Sequence, residues 1–170
     1  MLRPLPKRSL FLMDTMISLF DNRYISIDRR SRKLLDLLDG DNLYLRPRKL
    51  ANSMAPFSCG EYILRSAAMV EKTFGGITTR LWDDPFEWTL PEKLNDPDLV
   101  RNYLDEVEVT RRNGFAFLSS DDVLLRAIPS PEKLRPLADI LLDTIGTAEH
   151  YQGRAYAVFQ MISDLHLPRL

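Results

Sequence analysis

The amino-acid sequence predicts an all-α fold, a four-helix bundle, on three observations. Four long stretches carry apolar residues at steps of three and four, the spacing that places them on one face of a helix. Pro- and Asp-rich segments separate these stretches, and alternating β-branched runs bounded by hairpin turns are nearly absent. In a chain of 170 residues, four such helices bury their apolar faces against one another, which predicts a single domain spanning residues 1–170.

The first helix is predicted from about Leu10 to Leu38, with Gly40 in the "DGDN" segment capping its C-terminus. It begins in an N-terminal segment where basic residues precede an apolar run, which is the pattern of a signal peptide. Asp14 interrupts the run and no small-residue cleavage site follows, so we interpret the segment as the start of a core helix. The "NRY" triplet in the middle predicts a break or bend.

The second helix is predicted to begin after an N-cap residue, Ser58, with Glu61 three positions later as its capping-box partner. The helix reaches about Trp82, because its apolar residues recur at helical spacing up to that point. Gly75 and Gly76 weaken the pattern near its end, and we expect a kink there.

Asp96 followed by Pro97 predicts the start of the third helix, because aspartate caps helix N-termini and proline favours the first helical position. The helix extends to about Leu118, and Gly114 either ends or interrupts it.

The fourth helix has two candidate starts. Residues 130–132, Ser-Pro-Glu, repeat the start signal, whereas Pro136 moves the true start later. The helix continues to about Leu165, and its apolar stripe includes one amide, Gln152. A buried amide must find hydrogen-bond partners, so Gln152 either lines a pocket with Tyr62 and Tyr151 or bridges two helices.

Composition argues against several classes of protein. The net charge of -1 gives no basic field for nucleic acid or an anionic membrane, and the "RRSRK" and "TRR" clusters are interpreted as helix-surface charges. No apolar run is long enough for a membrane span. The single cysteine, Cys59, fits a reducing cytoplasm, and two histidines are too few for a tetrahedral Cys/His zinc site.

Three segments carry a family resemblance: "LYLRPRKLANSMAPFSCGEYILRSAA", "EHYQGRAYAVFQ" and the exit through "HLP". With these the chain resembles the DinB/YfiT-like superfamily of bacterial four-helix bundles, over about residues 21–168. The resemblance implies an up-down-down-up bundle that is often a homodimer. It also implies three histidines that bind a divalent metal, and in some members a thiol transferase or thiol-dependent isomerase activity.

This sequence departs from that histidine triad. Counted from Ser58, the second-helix ligand position falls on Arg65, and a guanidinium cannot coordinate a metal. The resemblance therefore implies a degraded metal site, with no cofactor.

The last helix offers two registers for the other two ligand positions. If the family's last helix is aligned through Gly153, the two ligand positions fall on Thr147 and Tyr151. If it is aligned through "EHY", they fall on Gly146 and His150. At 100° per residue, Tyr151 lies at the edge of the apolar stripe and His150 nearly opposite its centre. We prefer the first register, in which His150 points outward or toward a partner subunit.

Arg65 has a functional and a structural interpretation. In the functional one it replaces the metal's positive charge and binds a small anionic ligand, and Glu61, Tyr62, Thr147, Tyr151 and Gln152 complete the pocket. In the structural one it forms a salt bridge on the bundle rim, since a cation in a cavity needs an anionic partner. Glu61 one turn earlier, or Glu149 or Asp143 from the last helix, could supply that partner.

The remaining candidate groups favour structural roles. The pairs Asp83-Asp84 and Asp121-Asp122 stand in turn contexts, which predicts capping and solvation rather than acid-base catalysis. Cys59 near a helix N-terminus could be a nucleophile, but no Cys-His arrangement is visible in the sequence.

Three functional hypotheses follow. The first is a metal-free bundle that acts by ligand binding or association, as a homodimer. The alternative is a divergent enzyme of the hydrolase or thiol-transferase type, in which His150 with Glu149, Asp143 or Glu61 holds Zn, Ni or Mn. The third is a stress-related interaction or regulatory protein that works through its helical surface.

Overall fold

Four long helices make up most of the described chain. The computed structural model describes residues 15–48, 57–85 and 92–168. Its helices are α1 (Met16–Leu35), the one-turn α2 (Gly40–Leu43), α3 (Cys59–Thr79), α4 (Pro97–Ala116) and α5 (Leu137–Ile162). A 3-10 turn at Asp121–Leu125 and two short strands, β1 (Ala127–Pro129) and β2 (Leu134–Pro136), join α4 to α5. No helix within these ranges is long and apolar enough to cross a membrane.

Contacts of α1 establish the directions of two other helices. The hydroxyl of Tyr24 donates to the carbonyl of Leu141 at 2.8 Å, and that of Tyr156 to the carbonyl of Arg30 at 3.1 Å. From the first contact to the second, the residue number increases on both α1 and α5, so the two helices run parallel. Ion pairs join Asp21 to Arg111 and Asp36 to Arg101, which makes α4 antiparallel to α1.

The antiparallel packing of α3 against α5 completes the topology. The hydroxyl of Ser66 donates to the carbonyl of Ala148 at 2.9 Å, and the hydroxyls of Thr73 and Thr144 lie 2.7 Å apart. Residue numbers along α3 therefore increase as those along α5 decrease, so these two helices are antiparallel. The predicted all-α, up-down-down-up four-helix bundle is confirmed.

Local capping signals explain where the helices begin. The side chain of Ser58 accepts a hydrogen bond from the backbone N–H of Glu61, and the Glu61 carboxylate accepts one from the N–H of Ser58, which confirms the predicted capping box. Asp96 caps α4 and Pro97 is its first residue, also as predicted. Asp121 accepts hydrogen bonds from the first two N–H groups of α1, which is the capping role predicted for the paired aspartates.

Two predictions for α1 are wrong. Gly40 does not cap α1; it is the first residue of α2, because Asp39 accepts hydrogen bonds from the N–H groups of Asp41 and Asn42. No break occurs at "NRY", since α1 is continuous and buries Tyr24. The predicted part of this helix before residue 15 lies outside the described residues.

Other boundaries move by a few residues. α3 ends at Thr79 rather than Trp82, because Arg80 adopts the left-handed conformation, and it remains helical through both of its predicted weak points, Gly75 and Gly76. α4 ends at Ala116, two residues before the predicted Leu118, and Gly114 lies inside it.

The fourth helix takes the later of its two predicted starts. Residues 130–132 instead belong to the turn of an antiparallel hairpin in which Ile128 pairs with Arg135. Both the backbone N–H and the hydroxyl of Ser130 donate to the carbonyl of Lys133, which closes the turn. α5 therefore starts at Leu137 and ends at Ile162, three residues before the predicted Leu165.

An aromatic cluster forms the centre of the core. The ring of Tyr24 lies edge-on to Phe74 at 5.1 Å and to Phe115 at 5.8 Å between centroids. The backbone of Gly114 packs directly on this cluster, since a Cβ at that position would lie 2.2 Å from the Cδ1 atom of Phe74. Around the cluster, fully buried aliphatic side chains complete the core: Leu34, Leu35, Leu43, Ile63, Leu64, Val100, Leu104, Leu137 and Leu141.

Replacing Gly114 with alanine is expected to lower the free energy of unfolding by about 1–3 kcal/mol, because the added methyl overlaps a fully buried ring. Gly75→Ala is the matched control inside a helix, since the nearest atom to its Cβ would be 3.6 Å away. The better helix propensity of alanine should leave that variant unchanged or up to about 1 kcal/mol more stable. Urea unfolding measures both; equal destabilisation of the two variants would contradict the packing role of Gly114.

A second prediction concerns Glu61, which is buried and bonded to Arg46 at 2.5 Å. Burial alone would raise its pKa, but the hydrogen bonds from Ser58 and Arg46 outweigh burial and hold the pKa below its usual value. A carboxyl with a depressed pKa stabilises the fold above its unfolded pKa of about 4.3 and loses that contribution as the pH falls through its folded value. Glu61→Gln should therefore cost about 1–3 kcal/mol at pH 7.

The pH dependence of urea unfolding separates this effect from a loss of shape. We expect the difference between wild type and Glu61→Gln to shrink from pH 5 to pH 3, about one pH unit either side of the unfolded pKa. The exposed Glu132→Gln serves as the control and should leave the profile unchanged. A constant difference across this range would rule out the proposed role of the Glu61 charge.

Candidate functional site

A groove opens on the surface where the first half of α3 faces the middle of α5. Its volume is about 470 Å³, and it is lined by Phe57, Tyr62, Gly146, Thr147, His150, Tyr151 and Arg154. The capping box at Ser58 fixes the start of α3, and the antiparallel packing then places Tyr62 opposite Tyr151. The groove is therefore a direct product of where α3 begins.

Aromatic rings form one wall of the groove. The rings of Tyr62 and Tyr151 are stacked, with centroids 6.4 Å apart and an interplanar angle of 30°. Phe57 meets Tyr62 edge-on at 5.5 Å, and the guanidinium of Arg65 lies 3.9 Å above the Phe57 ring. This wall suits the apolar or planar part of a ligand.

Arg154 supplies the positive charge of the groove. Its Nε donates to Nε2 of His150 at 2.9 Å, and its Nη1 donates to the hydroxyl of Tyr62 at 3.3 Å. Nε2 of His150 is the acceptor in this contact, because a guanidinium N–H always donates. The two contacts hold the guanidinium at the mouth of the groove, with N–H groups left to bind a ligand.

None of the described lining residues carries a carboxylate. The three acidic side chains that the sequence placed near this site pair with other arginines. Glu149 accepts from Arg30 at 2.9 Å and also pairs with Arg23, whereas Asp143 pairs with Arg135.

Glu61, the third of these acids, pairs with Arg46 and caps α3. The three acidic residues suggested as partners of Arg65 thus form ion pairs with other arginines. The charge balance of the lining residues favours an anion.

Three of the six sequence-predicted pocket residues, Tyr62, Thr147 and Tyr151, lie together in the groove. The other three, Arg65, Glu61 and Gln152, do not line it. Gln152 faces the opposite side, where its amide donates to the carbonyl of Ile27 at 2.7 Å and to the hydroxyl of Ser31 at 2.8 Å. It therefore takes the helix-bridging alternative and joins α5 to α1.

Both registers considered for the last helix border the groove. Thr147 and Tyr151 are half-buried, whereas Gly146 and His150 are exposed at the rim. The expectation for His150 was an outward direction, and it lies at the edge of the groove with its imidazole 5.9 Å from the Tyr151 ring.

The metal that the resemblance implies does not fit these residues. Arg65 cannot coordinate a cation, and the Nε2 lone pair of His150 already accepts a hydrogen bond from Arg154. Within residues 15–48, 57–85 and 92–168, no three His, Cys, Asp or Glu side chains lie close enough to hold a metal ion. The carboxylates proposed as partners of His150 therefore do not form a ligand set with it.

Cys59 lies beneath the groove rather than in it. Its thiol is buried and donates to the carbonyl of Ala155 at 3.4 Å. Burial raises its pKa to about 12, so the thiolate needed for nucleophilic attack is disfavoured.

Sequence reasoning missed two lining residues, Arg154 and Phe57. Arg154 follows His150 by four positions, a spacing that brings side chains together on a helix surface, and that spacing could have identified the pair. Phe57 lies before the α3 cap, and no periodic pattern marks it.

Comparison with known proteins addresses the fold. No family model and no curated protein matches the chain. A crystal structure of a DinB-like protein from Bacillus cereus is similar, with a TM-score of 0.64 and 14% sequence identity over 89% of this chain and 95% of that one. Similarity at this identity concerns the fold alone. The chain therefore has the fold of DinB-like proteins.

Proposed function

We propose that this protein binds a small anionic ligand in the groove between α3 and α5. One observation carries the proposal: the guanidinium of Arg154 is held by His150 and Tyr62 in a groove whose described lining has no carboxylate. A guanidinium fixed in this way loses less conformational entropy when it binds an anion. The protein acts as a binding module rather than as a metal-dependent enzyme.

The remaining donors of Arg154 define the chemistry of the ligand. A guanidinium has five N–H groups in a planar fork that matches the two oxygens of a carboxylate or phosphate. Its contacts to His150 and Tyr62 use part of this fork. The hydroxyl of Thr147 and the rings of Tyr62 and Tyr151 then contact the rest of the ligand. An aromatic or otherwise planar carboxylate fits both the charge and the wall.

Arg154→Gln tests the proposal with benzoate as the probe. We expect benzoate to bind the wild-type protein in the millimolar range or tighter, and the variant to bind at least about tenfold more weakly, because one charge-assisted interaction is lost. Arg29→Gln, an exposed arginine on α1, is the matched control and should bind benzoate like the wild type. Backbone NMR titration measures affinity and locates the perturbed residues. Absence of binding, or equal binding by both variants, would refute the proposal.

We also propose that two copies associate through the outer face of α5. Leu142 and Met161 on this face are 57% and 70% exposed. Between them, Gly146 and Gly153 have no atom within 4 Å of where a Cβ would lie, so a second helix can approach closely. The family resemblance implies a bundle that is often a homodimer, which supports association of two copies. The face shares Gly146 with the groove and borders it at His150.

Gly153→Glu tests this association. The wild-type chain should sediment with twice its chain mass, and the variant with a single chain mass, because an uncompensated charge in an apolar contact is costly. Val109→Glu places the same charge at an exposed position of α4 and should leave the dimer intact. A single chain mass for the wild type at tens of micromolar would exclude the homodimer.

A further inference from the structure

A second cavity continues the groove along α3 and α5 toward the hairpin. Its volume is about 390 Å³, and apolar walls come from Met69, Trp82, Pro131 and Ile140. Trp82 is seated directly on α3, since a Cβ on Gly76 would lie 2.3 Å from its ring. Because Gly76 has no side chain, the indole of Trp82 packs against α3 there and forms one wall of this second cavity, called the far cavity below.

Thr147 lines both cavities, so they are neighbours on α5. The two together, called the channel below, extend along α5 from Ile140 to Arg154, which at a rise of about 1.5 Å per residue is roughly 21 Å. Its two ends therefore offer separate contacts to one extended molecule.

The charges differ between the two ends. At the near end, Arg154 faces no carboxylate among the described lining residues. At the far end the lining has two cations, Lys72 and Arg135, and two anions, Glu132 and Asp143. Arg135 pairs with Asp143, which leaves the far end balanced. A ligand that spans the channel is complementary when its charge is at one end and its other end is neutral.

The geometry points to an elongated monoanion as the ligand: an anionic head on Arg154 and a neutral, largely apolar tail that passes Thr147 and contacts Trp82. The inference rests on the anion binding proposed for the groove and extends it to a ligand class, which includes chain carboxylates. Tail burial against Met69, Trp82 and Ile140 supplies affinity, because each methylene moved from water to an apolar wall is favourable. The head alone would bind weakly at the exposed Arg154.

The test uses the full chain with Trp88→Phe, so that Trp82 is the only tryptophan. Butyrate, octanoate and dodecanoate, each below its micelle concentration, are titrated by calorimetry and by tryptophan fluorescence. We expect the affinity to rise by about two- to fourfold per methylene until the tail fills the far cavity. Trp82 emission should change with dodecanoate and not with butyrate.

Trp82→Ala removes one wall of the far cavity and leaves the near groove intact, because Trp82 does not line that groove. We expect calorimetry to show dodecanoate affinity reduced at least about tenfold and butyrate affinity kept within about twofold. Val109→Ala on the exposed surface of α4 is the matched control and should keep the rise with chain length. If Trp82→Ala does not fold, Met69→Ala, at another wall of the far cavity, replaces it and should likewise weaken dodecanoate while sparing butyrate.

The outcomes distinguish the two proposals. Equal affinity for butyrate and dodecanoate, with unchanged Trp82 emission, overturns the elongated ligand while benzoate binding at Arg154 stands. Dodecanoate affinity that Arg154→Gln leaves unchanged also overturns it, because the head is then not at Arg154. Loss of all binding, benzoate included, removes the groove proposal itself.

Discussion

The close antiparallel packing of α3 against α5 is the constraint on which the rest of the structure depends. Small residues such as Ser66 and Ala148 face each other here, and their side chains let the backbones approach within hydrogen-bonding reach of a hydroxyl. Side chains at the border of this interface still reach each other, because a helix turns by about 100° per residue. There the buried Tyr62 stacks on the half-buried Tyr151, and the groove is the outer edge of the helix packing.

The distribution of acidic residues explains why the groove is cationic. On the α1 side of α5, Glu149 accepts two arginines, and between α1 and α4 Arg32 pairs with Asp105. These pairs hold both carboxylates away from the groove, whose described lining contains none. Arg154 keeps its charge there, bonded to an imidazole nitrogen and a phenol.

Much of the fold followed from local sequence patterns. Helix starts at Ser58 and Asp96 were predictable because a cap needs only neighbouring residues. The hairpin before α5 was not, since its three-residue strands have no alternating pattern and are closed by contacts around Ser130. Gly40 was misassigned because the same residue type can follow one helix or begin the next.

The site was only partly predictable, for a related physical reason. Thr147 and Tyr151 came from the family register of the last helix, and because they are one turn apart they lie on the same side of α5, where both line the groove. The ion-pair partners of Glu61 and Glu149 were not predictable, because they depend on how far one helix is shifted along another and on a loop arginine, Arg46. The helical period gives the direction in which a side chain points from the axis of its own helix. It does not give the shift of one helix along another.

The cap that Asp121 provides for α1 has a consequence for synthesis of the chain. The first two N–H groups of α1 bond to a carboxylate more than a hundred positions later in the sequence. The parallel partner of α1, α5, is translated later still. While the ribosome is making α3 and α4, the first turn of α1 therefore has only water to satisfy these donors. α1 therefore becomes fully ordered only when the second half of the polypeptide has emerged.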